Sequence, residues 1–92
     1  MIPGTEYKVY VDVLVAFRAG KMVPARIRWT DGTIYKIDKI VDVRPAAARK
    51  AGGQGDRYTV QINGRESYLY FEYSTDPCGE HIGDWFVEKK NI

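Results

Sequence analysis

Cysteine and histidine are the scarcest reactive residues of this 92-residue sequence, which contains one of each. A single cysteine excludes an internal disulfide, so the expected compartment is a reducing one, the cytoplasm. Cys78 and His81 lie three positions apart, but a structural zinc site needs four ligands. The sequence therefore predicts no metal site and no cofactor, and it leaves open whether Cys78 and His81 have any role.

Motifs of catalysis and of membrane insertion are also lacking. The run Gly52-Gly53-Gln54-Gly55 is not followed by Gly-Lys-Ser/Thr, so it is not a phosphate-binding P-loop. No nucleophile elbow or dinucleotide fingerprint occurs, and nothing supplies an oxyanion hole for a Cys/His pair. An apolar stretch of about 18 residues and a signal-peptide pattern are both absent, so we expect neither membrane insertion nor secretion. These absences predict a non-enzymatic protein without catalytic residues.

Apolar residues make up 45% of the chain, and seven tyrosines stand among them. This proportion is enough for the core of one small domain, which we place at residues 1–92. Tyrosine, valine and isoleucine all favour β-strands. From position 7 to position 17 most odd residues are valine and all are apolar, which is the period-two pattern of a strand with one buried face. Composition and pattern together predict an all-β protein.

Two glycine-ended turns follow this first strand. We interpret Arg18-Ala19-Gly20 and Thr30-Asp31-Gly32 as three-residue loops, each ending in a left-handed glycine. Both loops then place apolar residues of neighbouring strands on one shared face. The predicted cross-strand pairs are Val13 with Ala25, Val11 with Ile27, Ile27 with Tyr35, and Ala25 with Ile37.

Two irregularities interrupt the strand pattern. Pro24 lies within the second strand, where proline removes a hydrogen-bond donor of the ladder, so we expect a bulge or one-sided pairing there. The third strand, residues 33–44, loses its alternation near Asp38-Lys39-Ile40. Such a slip is typical of a corner where a small barrel bends.

Asn63-Gly64 is the strongest hairpin signal in the chain, because this dipeptide favours a two-residue type I′ turn. The flanking strands are predicted at residues 57–62 and 65–73, and a short closing strand at 84–89. A two-residue turn predicts these cross-strand pairs: Tyr58 with Leu69, Val60 with Ser67, Arg57 with Tyr70, Thr59 with Tyr68, and Gln61 with Glu66.

These elements predict about six strands, joined mostly as a meander. The fold class is all-β, a small antiparallel barrel or curled sheet of the SH3-like kind, with one short helical turn. The alternative is a flatter sheet that buries its apolar side in a homodimer.

The segment from residue 44 to residue 58 carries the predicted helical turn. Pro45 suits the first helical position, and Gly52 or Gly53 suits the left-handed position after the helix. Irregular segments on a rigid scaffold commonly hold binding groups. Four cations concentrate here: Arg44, Arg49, Lys50 and Arg57.

Clustered cations with neighbouring aromatic rings favour an anionic partner, so DNA or RNA is the first expectation. Tyrosines beside Arg57 could stack bases, and glycines would let backbone N–H groups approach a phosphate. The alternative is a protein partner, bound through an aromatic face of Tyr10, Leu14, Tyr68 and Tyr70 or through a free sheet edge. The predicted nucleic-acid-binding residues are Arg26, Arg28, Lys36, Arg44, Arg49, Lys50, Arg57, Tyr68 and Tyr70.

Three segments carry a resemblance to known proteins: residues 29–40 (Trp-Thr-Asp-Gly-Thr-Ile-Tyr-Lys-Ile-Asp-Lys-Ile), 50–58 (Lys-Ala-Gly-Gly-Gln-Gly-Asp-Arg-Tyr) and 85–88 (Trp-Phe-Val-Glu). Together they resemble a family of short uncharacterised proteins of Gram-positive bacteria. The Trp-Gly-Tyr hairpin within 29–40 also resembles a small β domain encoded near translesion DNA polymerases. The first resemblance implies no activity, and the second implies an accessory role linked to DNA repair.

Overall fold

The computed structural model describes residues 6–47, 54–74 and 79–90, and all regular structure within them is antiparallel β-strand. The predicted all-β class is confirmed, with seven strands rather than about six. The strands are β1 (Glu6–Arg18), β2 (Lys21–Arg28), β3 (Ile34–Lys36), β4 (Lys39–Ala47), β5 (Gln54–Ile62), β6 (Arg65–Tyr73) and β7 (Gly83–Lys90).

The strands form one sheet in the order β3-β2-β1-β7-β6-β5-β4. β3 and β4 follow each other in sequence yet lie at opposite ends of this order, so the sheet must curl. A two-residue corner joins the ends: Ile37 N–H donates to the Ala25 carbonyl on β2 (2.9 Å), and Asp38 N–H donates to the Gln61 carbonyl on β5 (2.8 Å). The predicted slip near Asp38 is therefore the place where the chain changes partner strands.

The β5–β6 hairpin has the predicted register. Asn63 and Gly64 both adopt left-handed conformations, with φ of 51° and 78°, as a type I′ turn requires. All five predicted pairs between β5 and β6 are present, including Tyr58 with Leu69 and Arg57 with Tyr70.

The prediction for the β1–β2 turn was wrong. Ala19 and Gly20 form a two-residue turn with φ of 51° and 79°, and Arg18 is a strand residue that pairs with Lys21. This turn, together with a bulge at Ala25, pairs Val13 with Ile27 and not with Ala25.

A bulge in β2 lets the apolar residues of β1 and β2 share one face although the turn has only two residues. Leu14 pairs with Arg26, whereas the next residue, Val15, pairs with Pro24, so Ala25 is the extra residue of β2. Pro24 is fully buried beside this bulge, where its missing N–H interrupts no regular ladder. The irregularity expected at Pro24 is confirmed.

The β2–β3 turn is the predicted three-residue loop. Gly32 is left-handed, with φ of 92°, and Ile27 pairs with Tyr35 as expected. Trp29 N–H donates to the Thr33 carbonyl (2.7 Å), and Asp31 Oδ1 accepts from Thr33 N–H (2.9 Å). Hydrogen bonding to Thr33 lowers the pKa of the exposed Asp31 carboxyl.

β4 continues where a helical turn was predicted. Pro45 pairs with Asp56 and Ala46 with Gly55, both in extended conformation on β4 and β5. The prediction of a helix beginning at Pro45 is therefore wrong for residues 45–47, which are part of β4. The rest of the predicted helical turn lies outside the described residues. Pro45 is tolerated because β4 is an edge strand, so its missing donor faces away from β5.

The core lies on the concave side of the curled sheet. Its centre is Val60 and Leu69, which pack with residues from β2, β6 and β7 and are fully inaccessible to solvent. Partly buried valines of β1 complete the wall. The buried members of this cluster are Ile27, Ile37, Tyr58, Val60, Leu69, Phe71 and Trp85.

Candidate nucleic-acid interface

The convex face of the sheet carries a row of side chains that are register partners across five strands. Tyr10 on β1 opposes Phe86 on β7, and Phe86 opposes Tyr70 on β6. Tyr70 opposes Arg57 on β5, and Arg57 opposes Arg44 on β4. The row is therefore aromatic in the middle of the sheet and cationic at the β4 end.

Phe86 shows how the aromatic part of the row is packed. Its ring is only 4% exposed although it lies outside the core cluster. Tyr70 stacks on it with centroids 5.0 Å apart and planes 3° from parallel, and Lys8 Nζ lies 4.6 Å from the ring centroid. Phe86, Tyr70, Tyr10 and Lys8 thus form a second, smaller core on the convex face, and Tyr70 belongs to it.

Cations face cations at three places on the sheet. Side chains of directly opposed residues lie close together. Two like charges in this arrangement therefore destabilise the sheet, by about 0.2–1 kcal/mol. Among the ion pairs of the described residues, only one of these six cations, Arg44, takes part. The three cation pairs are Arg18 with Lys21, Arg26 with Lys36, and Arg44 with Arg57.

An acidic pair on the same sheet, in contrast, has hydrogen-bond partners within the fold. Glu72 on β6 opposes Asp84 on β7. Glu72 accepts from Lys8 Nζ (3.2 Å) and from the Tyr10 hydroxyl (3.3 Å), and His81 Nε2 lies 2.9 Å from Asp84 Oδ1. The fold therefore supplies partners to its opposed carboxylates, whereas five of the six opposed cations form no ion pair within the described residues.

Arg57 is the most unusual of these cations. Its guanidinium carbon lies 4.6 Å from the centroid of the Tyr68 ring, a cation–π contact, and its buried Nε has no hydrogen-bond partner. Asp56, the adjacent residue on β5, points to the opposite face of the sheet, where it accepts a hydrogen bond from the Tyr73 hydroxyl. That bond, with burial, raises the pKa of Tyr73 to about 12.

Arg44 and Tyr68 complete this end of the interface. Arg44 Nε donates to Asp42 Oδ2 (2.7 Å), but both side chains are largely exposed, so the pair is weak and exchangeable. Tyr68 is 50% exposed, on the same outward side of the sheet as Arg57. We call Arg44, Arg57 and Tyr68 the arginine platform.

The structure places the other predicted residues as follows. Arg26 and Lys36 are exposed partners on β2 and β3, whereas Arg28 is paired with Asp12 on β1. Tyr70 packs in the smaller core, and Arg49 and Lys50 lie outside the described residues. Of the nine predicted residues, three thus form the arginine platform and three lie on the β2–β3 hairpin.

The pair of Arg18 and Lys21 was missed by sequence reasoning. Arg18 was assigned to a three-residue loop, which leaves it without a register partner. A two-residue turn at Ala19-Gly20 places Arg18 directly opposite Lys21. Comparing the charges that each turn length brings together would have revealed this pair.

Comparison with known proteins found no match to the chain among family models, curated proteins or solved structures. In the part of the chain that the structure describes, no group of three or more His, Cys, Asp and Glu side chains is arranged to hold a metal ion. The same residues include no helix of the length and apolarity that crossing a bilayer requires.

Proposed function

We propose that the protein binds single-stranded nucleic acid through the convex face of its sheet, with the arginine platform as the main contact. The observation that carries the proposal is the asymmetry between opposed charges. Glu72 and Asp84 receive partners from within the fold, but Arg57 faces Arg44 and forms no ion pair with any carboxylate of the described residues. An external anion between the two arginines would remove their repulsion.

A phosphate group is the anion that this geometry suits. Arginine guanidinium groups bind phosphate through paired N–H donors, and Arg44 can exchange its exposed Asp42 contact for a phosphate at little cost. The Arg57 guanidinium lies over Tyr68, so its other face offers a flat cationic surface on which a base can stack. The cations of β1–β3, namely Arg18, Lys21, Arg26 and Lys36, supply further phosphate contacts.

Single strands are favoured over duplex because stacking needs a base that is not already stacked on its neighbours. None of the contacts described here reads a base edge, so binding is expected to depend little on sequence. A DNA-repair accessory role, which the resemblance of residues 29–40 implies, is one setting for such binding.

The test is fluorescence anisotropy with a labelled single strand roughly 16 nucleotides long and with the matching duplex. Arg44→Gln/Arg57→Gln removes both charges of the platform. We expect its affinity for the single strand to fall about tenfold or more, and the slope of log affinity against log salt to decrease by about 1–2. Wild-type protein should bind the single strand more tightly than the duplex.

Arg65→Gln is the control, because it removes the charge of an arginine on the concave side of the sheet that belongs to none of the three cation pairs. We expect this variant to bind nearly as tightly as wild type. Circular dichroism and urea unfolding establish that both variants are folded. Equal losses in the two variants, or wild-type binding that does not change with salt, would contradict the proposal.

A protein partner is the second candidate, favoured by Tyr10 and Leu14, which lie on the outward side of β1 with Asp12 between them and are 50% and 60% exposed. Apolar recruitment on this surface is expected to be insensitive to salt, unlike phosphate binding. Leu14→Ser should abolish such recruitment, or a homodimer formed through this face, without changing nucleic-acid affinity. Size-exclusion chromatography with light scattering measures the dimer directly.

A further inference from the structure

An open cavity of about 520 Å³ lies on the concave side of the sheet, between the β2–β3 hairpin and the β5–β6 hairpin. Its floor is apolar and includes the fully buried Val60 and Leu69. Trp29 and Ile62 both line the cavity and are only half-buried. The volume is within the range of small-molecule binding sites.

Trp29, Tyr35 and Tyr68 bring polar tips to the lining of this cavity, and three further polar residues lie at or beside the β5–β6 turn. Asn63, Arg65 and Ser67 supply an amide, a guanidinium and a hydroxyl, all of which donate hydrogen bonds. Among the described residues that line the cavity there is no carboxylate. The nearby Asp38 is engaged with the backbone N–H of Asn63 (2.9 Å), and in the described part of the chain Arg65 forms no ion pair.

We propose that this cavity binds a small amphipathic anion, an aromatic or alkyl body that carries one carboxylate. The body lies against Trp29, Ile62 and Val87, which are only half-buried, and its transfer from water is favourable in proportion to the apolar area buried. The carboxylate lies at the rim and accepts hydrogen bonds from Arg65, with Ser67 close by. A cationic ligand is disfavoured because Arg65 is the only charged group of the described lining.

The charged residue of this site, Arg65, is not one of the cations of the proposed nucleic-acid contact. Arg65 opposes Ile62 on the concave side and belongs to none of the three cation pairs. Tyr68 lines this cavity and also belongs to the arginine platform, so the two sites are distinguished by variants of Arg65 on one side and of Arg44 and Arg57 on the other.

The probes are 4-phenylbutyrate and its neutral counterpart 4-phenyl-1-butanol, titrated into ¹⁵N-labelled protein and followed by ¹H–¹⁵N NMR. We expect saturable shifts of the Trp29 indole N–H and of the Arg65 and Ser67 amides with the acid. The Trp85 indole N–H, in the core, serves as the internal control. The alcohol should bind roughly tenfold more weakly, because it lacks the charge-assisted hydrogen bond to Arg65.

Two variants separate the parts of the proposal. Arg65→Gln should reduce affinity for the acid roughly tenfold and leave affinity for the alcohol unchanged. Ser67→Trp, at an exposed lining position, should fill the cavity and abolish the binding of both probes. The proposal is overturned if the acid and the alcohol bind equally, if neither gives a saturable shift at Trp29, or if the shifts centre on the convex face around Arg57.

Discussion

The β5–β6 hairpin and the β1–β2 hairpin end in the same kind of turn but differ in almost everything else. Each turn has two residues in left-handed conformation, Asn63-Gly64 in one and Ala19-Gly20 in the other. In β5–β6, Val60 and Leu69 are completely buried, whereas near the end of β1 Phe17 is 70% exposed. A shared local turn therefore does not lead to a shared environment.

The difference arises from the neighbouring strands. β5–β6 lies between β4 and β7, so both of its edges are paired. β7 pairs with β1 only as far as Val11, and β3 pairs with β2 only from Arg26 to Arg28. The outer part of β1–β2 has no further strand to cover it in the described structure, and it carries Arg18 and Lys21. The β5–β6 hairpin thus holds the most deeply buried side chains, and the outer part of the β1–β2 hairpin is exposed.

The largest effect is expected from equal truncations in the two hairpins. Leu69→Ala removes a fully buried side chain and should lower the free energy of unfolding by about 2–5 kcal/mol. Leu14→Ala, on the exposed side of β1, should change it by no more than about 0.5 kcal/mol. Urea unfolding followed by tryptophan fluorescence measures both, and a similar loss in the two variants would contradict the division between the hairpins.

Glycine substitutions extend the comparison to the backbone. A β-carbon at Gly55 would overlap the carbonyl oxygen of Phe71 on β6, so Gly55→Ala must force β5 and β6 apart, at a cost of about 1–3 kcal/mol. At Gly20 a β-carbon meets open space, and the cost is only that of the left-handed conformation, about 1 kcal/mol. The same unfolding assay ranks the two variants, and the reverse order would mean that the turn and not the strand contact dominates.

Charge reversal at the β1–β2 turn should change the free energy of unfolding by less than these truncations and glycine substitutions, and should increase it. Lys21→Glu converts the opposed cations into an ion pair with Arg18, so we expect stability to increase by about 0.2–1 kcal/mol. The same change should weaken binding to single strands. Arg65→Glu is the control, because Arg65 opposes Ile62 and no like charge is relieved. A gain of stability in both variants would show that general charge, and not the opposed pair, is responsible.

The smallest effect concerns pH and the end of β6 away from its turn. The hydrogen bond to Asp56, with burial, raises the pKa of Tyr73 from 10.0 to about 12. Its contribution to stability is therefore complete below about pH 10 and is lost as the pH rises towards 12, because the phenolate no longer donates. Tyr73→Phe should lose less stability than wild type as the pH rises from 9 to about 12. The measurement is the free energy of unfolding of both proteins across this pH range. Identical alkaline losses would contradict the role of Tyr73.

The register of β5–β6 was predictable because Asn63-Gly64 permits one short turn and both strands have clear alternation. The register of β1–β2 was not, since Ala19 in a left-handed conformation is uncommon for a residue with a side chain. A bulge at Ala25 also allows the same apolar face with another turn length. Where two combinations of turn and bulge bury the same residues, the pattern alone does not choose between them.

The candidate site shows the same limit. Its cations were recognisable from composition, and Tyr68 beside Arg57 followed from the β5–β6 register. The position of Arg44 opposite Arg57 was not predicted, because Pro45 with the later glycines indicated a helical turn instead of a longer β4. The neutralisation of Arg28 by Asp12 also depends on the shifted β1–β2 register.

The sequence by itself determined the class of the protein, the positions of most turns and the faces on which side chains lie, because these depend on period-two alternation and on local turn chemistry. Only the tertiary structure decided which strand each edge pairs with, and hence that Arg44 faces Arg57 and that a cavity opens beside Trp29. The physical reason is that alternation specifies a face but not a neighbour. Neighbours are chosen by the burial of residues far apart in sequence, such as Ile27 and Leu69 in one core.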